Sequence, residues 1–411
     1  MHIKGIFIGN ELCDGRILNR NQQYLAQHLY NAGYYLTQSL TIDDNVEPLV
    51  HALKLAITQN DVLVLTGGLG PTEDDRTRDA VSLATDAPLI ENKNALAAIS
   101  AYFMQTKRDM PKANKKQALF PQGAVLIDNH HGTAPGFYLQ VGSCHLFVCP
   151  GVPKEFHPML HDVIVPKLHQ LFPQERIHRD ITCFKCVGIS ESACADRLAS
   201  LYPLATGLSI SYQAKPHEIF IQLYCEPDAP KQVIQQIKNS MRTALADVCY
   251  SNDPDATLAS VIIDLCKSKG LTLSLAESCT GGGVSSALVS VPGASEVLDV
   301  GLVTYSNQAK TQWLDIPESL LEKHGAVSEE TARDMATQLR QHTGTDIAGS
   351  ISGIAGPTGG TSEKPVGTVC FAVSSDAGTL TQTRYIHGNR SLIQHKATLI
   401  LLDMIFKRIT T

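Results

Sequence analysis

The chain sets Ala276-Glu277-Ser278-Cys279-Thr280-Gly281-Gly282-Gly283 between an apolar run and a helix-forming run. Few folds accommodate that order. Leu271 to Ala276 reads as a short buried strand and Val284 to Ser290 as the opening of a helix, so Ser278 to Gly283 form a strand-to-helix connection. Three consecutive glycines let the backbone approach a ligand closely. Their N–H groups and the helix N-terminus beyond them favour an anion such as a phosphate, and Ser278, Cys279 and Thr280 bring side chains to the same turn.

Two further segments give that turn possible chemistry. Gly301 to Tyr305 reads as a second strand, with Ser306 or Asn307 capping a helix that carries Lys310. Ser350 to Pro357 reads as a third strand ending in another glycine turn. If the three converge at one end of a sheet, Ser278, Tyr305, Lys310 and Ser352 form one constellation. A serine hydroxyl is a weak nucleophile until a base takes its proton, and a desolvated lysine is able to be that base. Tyr305 would relay or position the proton. The competing reading is a turn that only holds phosphate, with Lys310 a solvated surface charge. Cys279 is a rival nucleophile, without a histidine near it in sequence.

The length of 411 residues exceeds one ordinary core and points to two or three domains. A net charge of −6 argues against broad attraction to nucleic acid or an anionic membrane. With no secretory pattern at the start and no apolar run of bilayer length, the expected location is cytoplasmic. Eleven cysteines, an odd number at irregular spacing, fit reduced buried thiols better than a disulfide framework. Cys183-Phe-Lys-Cys186 is the only CxxC; it lacks a second ligand pair and is assigned to a strand.

The fold class is α/β, in three segments. The first, 1–172, alternates strands at Ile3 to Ile8 and Asp61 to Leu65 with helices at Asn21 to Ala32 and Glu47 to Gln59. Its second strand runs into Thr66-Gly67-Gly68-Leu69-Gly70-Pro71-Thr72, and then Glu73, Asp74 and Asp75. Glycine N–H groups suit phosphate, and acids beside them suit a divalent cation on Asp74 and Asp75. Equally, the run is a tight turn capped by Thr72, with Glu73 to Asp75 favouring a helix N-terminus. The second segment, 175–251, is small and mixed, with strands at Asp180 to Val187 and Glu218 to Tyr224 and helices at Ser190 to Leu201 and Lys231 to Ala246. Asn252-Asp253-Pro254 marks a linker. The third segment, 255–411, carries the serine turn and ends in an apolar helix around Leu399 to Ile409.

With these motifs in place, a family resemblance is specific. Ala276 to Gly282, Thr304-Tyr-Ser-Asn307 with Lys310, His324-Gly-Ala-Val-Ser328 and Ser352-Gly-Ile-Ala-Gly-Pro357 resemble the CinA family. So do Gly9-Asn-Glu11, Asn19-Arg-Asn21, the Thr66 to Thr72 loop with Asp74 and Asp75, Asn114-Lys-Lys-Gln117, Gly132 to Gly136 and Pro150-Gly-Val-Pro153. The resemblance implies a MoaB/MogA-like, molybdopterin-binding-like three-layer α/β domain, a small α+β KH-like middle domain and a C-terminal α/β nicotinamide-nucleotide amidase domain. It also implies a homodimer.

For the amidase the resemblance implies Ser278, Lys310 and Tyr305 as the catalytic set, with no cofactor and with nicotinamide mononucleotide as substrate. It implies substrate contacts from Glu277, Cys279, Thr280, Gly281, Gly282, Ser352, Gly353 and Arg390. Asn389 stands beside that arginine where an aspartate is common. For the first domain it implies a nucleotide or phosphate site at Glu11, Gly67, Gly68, Gly70, Thr72, Asn114 and Gly151, with a divalent metal on Asp74 and Asp75 and ADP-ribose hydrolysis as a second activity. Asn10 replaces a common aspartate there. The middle segment lacks the GxxG loop of nucleic-acid-binding KH domains, so no direct nucleic-acid partner is expected. The alternative function is a non-catalytic nucleotide- or pterin-binding, or regulatory, protein associated with competence.

Overall fold

The apolar run Val62–Thr66 becomes a strand with every residue buried, as a strand covered on both faces requires. In the computed structural model, which describes residues 1–177 and 180–411, it lies inside a six-stranded sheet. The order is Gln38–Ile42, Ile3–Ile8, Val62–Thr66, Cys144–Cys149, Gly136–Val141, Val125–Ile127. The first four strands are parallel and the last two antiparallel. Helices Arg20–Ala32 and Val46–Gln59 each bury an apolar stripe, Leu25 and Leu29 in one and Leu49, Leu53 and Ala56 in the other. Two separate apolar clusters cover the sheet, one containing Leu25 and the other Leu49, which makes three layers.

The chain divides into two compact units, Met1–Arg179 and Asp180–Thr411. The second unit holds two sheets. Leu208–Lys215, Glu218–Cys225, Asp180–Val187 and Cys249–Ser251 form a four-stranded antiparallel sheet, in that order. Helices Glu191–Leu198 and Lys231–Ala244 contribute Cys194, Leu198, Ile237 and Met241 to the core cluster of that sheet. The linker read at Asn252 to Pro254 is tied down: Asn252 Nδ2 donates to Cys183 O at 2.7 Å, and Lys185 Nζ donates to Pro254 O at 2.9 Å and to Ala256 O. These bonds fasten the small sheet to the segment that leads into helix Leu258–Lys269.

The other sheet runs Leu298–Val303, Leu273–Glu277, Ile347–Gly353, Thr368–Ser375, Gly378–Tyr385. Its first three strands are parallel and its last two antiparallel. Parallel pairing brings the ends of the first three strands out on one side, directly before Ser278, before Thr304 and at Gly353. The strand expected at Gly301 to Tyr305 ends at Val303. Thr304 N makes a last bond to Glu277 O at 2.8 Å, after which Ser306 caps the helix Asn307–Leu314 through Ala309 N at 3.0 Å.

The final helix, Arg390–Thr410, is longer than its apolar run because Asn389 caps it by accepting from Leu392 N at 2.9 Å. Its buried face packs into the core of the five-stranded sheet. Asp403 interrupts that face yet is buried, and it is paired with Lys407 Nζ at 3.0 Å and His217 Nε2 at 3.4 Å. No helix among the described residues is long and apolar enough to cross a membrane.

Candidate active site

Gly282 makes the turn after Leu273–Glu277 possible, because it sits at φ +96° at the N-cap of helix Gly283–Val289. That backbone conformation strains any residue with a Cβ. The anion expected at this helix start is supplied by the protein. Glu277 is fully buried, and its carboxylate accepts from Thr280 Oγ1 at 2.7 Å, Gly282 N at 3.1 Å, Val284 N at 3.0 Å, Ser285 N at 2.8 Å and Ser285 Oγ at 2.7 Å. The helix N-terminus therefore holds the protein's own carboxylate where a phosphate was expected, and Glu277 is engaged in fixing the turn. Thr280 is consumed in the same network. Among the described residues, the Cys279 and Thr280 N–H groups have no backbone or side-chain acceptor.

Ser278 comes next, held by its N–H on Ile351 O at 3.0 Å. Its Oγ accepts from Lys310 Nζ at 3.1 Å, and the same amine donates to Thr304 O at 2.8 Å. Lys310 is 1% exposed and has no carboxylate partner among the described residues. Burial therefore drives its pKa down to about 8. Burial has the opposite effect on the rival nucleophile, pushing the Cys279 thiol up to about 12. A thiol held that high stays protonated and unreactive near neutrality. Of the two, the serine is the one whose side chain meets the buried amine.

Ser278, Lys310, Cys279, Tyr305, Ser352, Gly353 and Arg390 all line one cavity of about 220 Å³. Glu277, Thr280, Gly281 and Gly282 lie outside its lining. Ser352 Oγ donates to Ala326 O at 2.6 Å, which holds the Ala326–Val327 wall of the cavity. Sequence reasoning assigned those two wall residues no role, although both lie in the His324 to Ser328 motif.

Tyr305 departs from its expected relay role. It is 62% exposed, and its hydroxyl accepts from Arg390 Nη2 at 3.2 Å, with no bond to Lys310 or Ser278. Arg390 Nη1 donates to Gly356 O at 2.8 Å. The pair forms a cationic rim on the cavity. Asn389 in place of aspartate does not disturb it, since Asn389 caps the helix and Arg390 occupies the first helical position.

In the unit Met1–Arg179, the glycine loop borders a cleft of about 860 Å³. Glu11, Gly67, Gly68, Gly70, Gly151, Asp74 and Asp75 line it; Thr72 and Asn114 do not. A Cβ on Gly67 would lie 2.1 Å from Ile8 O, so only glycine fits this crossing. The loop carbonyls are held by Thr77 Oγ1 on Gly67 O at 2.8 Å and Arg78 Nη1 on Leu69 O at 2.9 Å. The N–H groups of Gly68, Leu69 and Gly70 have no backbone acceptor among the described residues.

Thr72 does not cap a helix. The helix starts at Thr77, while Thr72 N and Oγ1 both donate to Asp75 Oδ2, at 2.9 and 2.5 Å. Asn114 acts from behind the cleft, donating to Gln117 Oε1 at 2.8 Å. Sequence reasoning gave no role to Gln117, which lines the cleft, or to Asn21, whose Nδ2 ties Thr66 Oγ1 at 3.0 Å to Gly151 O at 2.8 Å. Their signal was membership of the Asn114-Lys-Lys-Gln117 and Asn19-Arg-Asn21 motifs. Asn10 donates to Asp44 Oδ1 at 2.8 Å. No group of three or more His, Cys, Asp or Glu among the described residues is arranged to hold a metal ion. Of the expected pair Asp74 and Asp75, Asp75 Oδ2 is engaged by Thr72.

Residues 255–409 match the family profile described as CinA C-terminal domain, and residues 5–170 match that of a probable molybdopterin binding domain. The chain is 37% identical over 412 residues to a CinA-like protein of Geotalea uraniireducens, covering 100% of this chain and 98% of the relative. It is 35% identical over 403 residues to a CinA-like protein of Kosmotoga olearia, covering 97% of each. Among solved structures, the competence/damage inducible protein CihA from Agrobacterium tumefaciens is 38% identical, with 38% of this chain and 94% of that chain covered and a TM-score of 0.36.

Proposed function

The chain belongs to the CinA family, and on that premise we propose that its C-terminal site hydrolyses the carboxamide of nicotinamide mononucleotide, giving nicotinic acid mononucleotide and ammonia. The observation that carries this reading is the buried Lys310 amine 3.1 Å from Ser278 Oγ, with its pKa lowered to about 8. A lysine in that state is neutral often enough near pH 7 to act as a general base.

Ser278 Oγ attacks the carboxamide carbon as its proton passes to Lys310 Nζ. The carbonyl oxygen becomes an oxyanion, for which the unengaged N–H groups of Cys279 and Thr280 are the nearest backbone donors in sequence to the nucleophile. Lys310 returns the proton to the amide nitrogen, the C–N bond breaks and ammonia leaves an ester on Ser278. Water, giving a proton to Lys310, then attacks that ester, and Lys310 passes the proton to Ser278 Oγ as the C–O bond breaks, which restores both groups. Arg390, steadied by Gly356 O and Tyr305, is the cation suited to the substrate phosphate.

The test is ammonia release from nicotinamide mononucleotide by wild type and Ser278→Ala without added metal. Release by the wild type alone supports the reading; equal release by both removes Ser278 as nucleophile. Release by neither folded protein moves the function to the N-terminal cleft. That cleft carries a second reading, binding of a nucleotide or pterin, on its volume and its three unengaged loop N–H groups. Titration with ADP-ribose, with and without Mg²⁺, tests it.

A further inference from the structure

The proposed reaction leaves a group of cysteines in the four-stranded sheet unused. Cys186 and Cys249 are cross-strand partners on the antiparallel strands Asp180–Val187 and Cys249–Ser251. Val187 N donates to Val248 O at 2.9 Å beside this pair, Cys249 N turns away to Leu245 O at 2.8 Å, and the register shifts between Cys249 and Ser251. Facing Cα atoms of adjacent antiparallel strands lie about 4.5–5.5 Å apart. A disulfide spans roughly 4.4–6.8 Å between Cα atoms, and side chains of a cross-strand pair share one face. The register thus sets the two cysteines at the Cα spacing a disulfide spans.

A third thiol, Cys194 on helix Glu191–Leu198, adjoins Cys186 in the same core cluster. Cys186 and Cys194 are fully buried in the core of this sheet, while Cys249 is only partly buried at its border. All are free thiols. Zinc ligation does not explain the cluster, since no set of three or more ligand side chains among the described residues has metal-holding geometry.

We propose that Cys249 and Cys186 are a peroxide-sensitive pair that closes to a reversible disulfide. Cys249 is the sulfur an oxidant reaches. Its neighbour Cys186 holds its thiol below the usual value. The Cys249 thiolate attacks hydrogen peroxide: an S–O bond forms, the O–O bond breaks, and hydroxide leaves to be protonated. Cys186 sulfur then attacks the Cys249 sulfenic acid, forming the S–S bond as the S–O bond breaks and water departs with the Cys186 proton. Two thiols are oxidised by two electrons and one peroxide is reduced to two waters. The bridge fastens the strand Cys249–Ser251, from which the chain passes through Lys185-bound Pro254 and Ala256 into helix Leu258–Lys269 of the catalytic sheet. The proposal stands on the thiol geometry and is independent of the amidase reading.

The full-length protein is treated with hydrogen peroxide, blocked with N-ethylmaleimide under denaturing conditions and digested without reduction for mass spectrometry. The expected product is a Cys186–Cys249 linked peptide that disappears on adding dithiothreitol, with those two of the eleven thiols lost to alkylation. Cys249→Ser is expected to leave Cys186 alkylated in full, while Cys194→Ser retains the link. Full alkylation of both cysteines in oxidised wild type, conversion of Cys249 to a sulfinic acid without a link, or a link from Cys186 to Cys183 or Cys194 overturns the proposal.

Discussion

Glu277 and Ser285 are joined twice: the carboxylate oxygen Oε1 accepts the Ser285 N–H at 2.8 Å and its hydroxyl at 2.7 Å. With three further donors on Oε2, a carboxylate from the strand end sits as the anion at the start of the next helix. Glu277→Gln keeps the shape but turns an amide NH₂ toward groups that donate. It is expected to cost about 1–3 kcal/mol, and Glu277→Ala at least about 3 kcal/mol, in denaturant unfolding. Unchanged stability in both would remove Glu277 as the anchor of the turn.

Ser278→Ala is expected to keep the fold and lower amide hydrolysis roughly a thousandfold or more, the scale set by loss of an activated nucleophile. Burst kinetics in the wild type, absent from the variant, would report the ester intermediate.

Lys310 must be neutral to accept the serine proton. Activity is therefore expected to rise through about pH 8 and then level, since the folded pKa is about 8. The same shift has a signature in stability. The ordinary lysine value is 10.5, so between about 8 and 10.5 the unfolded chain binds the proton that the folded protein has lost. The burial penalty is full below pH 8 and fades as pH rises through this window. The stability of wild type relative to Lys310→Met should thus increase by about 3 kcal/mol from below the window to above it. A flat difference across a pH series of urea unfolding curves would contradict a buried, depressed lysine.

Arg390 and Tyr305 share a hydrogen bond of 3.2 Å at the cavity rim, away from the Ser278–Lys310 contact. Arg390→Ala is expected to raise KM for nicotinamide mononucleotide about 10- to 100-fold, the loss of a charge-assisted bond, with little change for nicotinamide riboside, which has no phosphate. Tyr305→Phe should raise KM about three- to tenfold and leave kcat nearly unchanged. A large kcat loss in Tyr305→Phe, with KM intact, would restore the relay role that the tyrosine's position denies it.

Local pattern carried much of the architecture. The apolar run before Ser278, the glycines after it and the caps at Ser306 and Asn389 each act through neighbours within a few residues, and such signals survive in a linear chain. The tight turn expected at Thr72 forms, with Thr72 bonded to Asp75, but the helix begins only at Thr77, whose neighbour Arg78 holds Leu69 O. The two readings of that loop differ in which acceptor wins, and both acceptors were present in the sequence.

What the sequence by itself determined, then, was the set of elements, the turn that needs glycine and the residue types able to do acyl chemistry. Only the tertiary structure decided their roles. Parallel pairing of Leu273–Glu277 with the strands on either side brought Ser278 beside Lys310 across 32 positions of chain. The same packing buried the lysine amine, gave the helix N-terminus to Glu277 in place of a ligand, protonated Cys279 and turned Tyr305 outward to Arg390. Dielectric environment and hydrogen-bond competition depend on which distant atoms fill the space around a group. Those neighbours are set when the sheet closes.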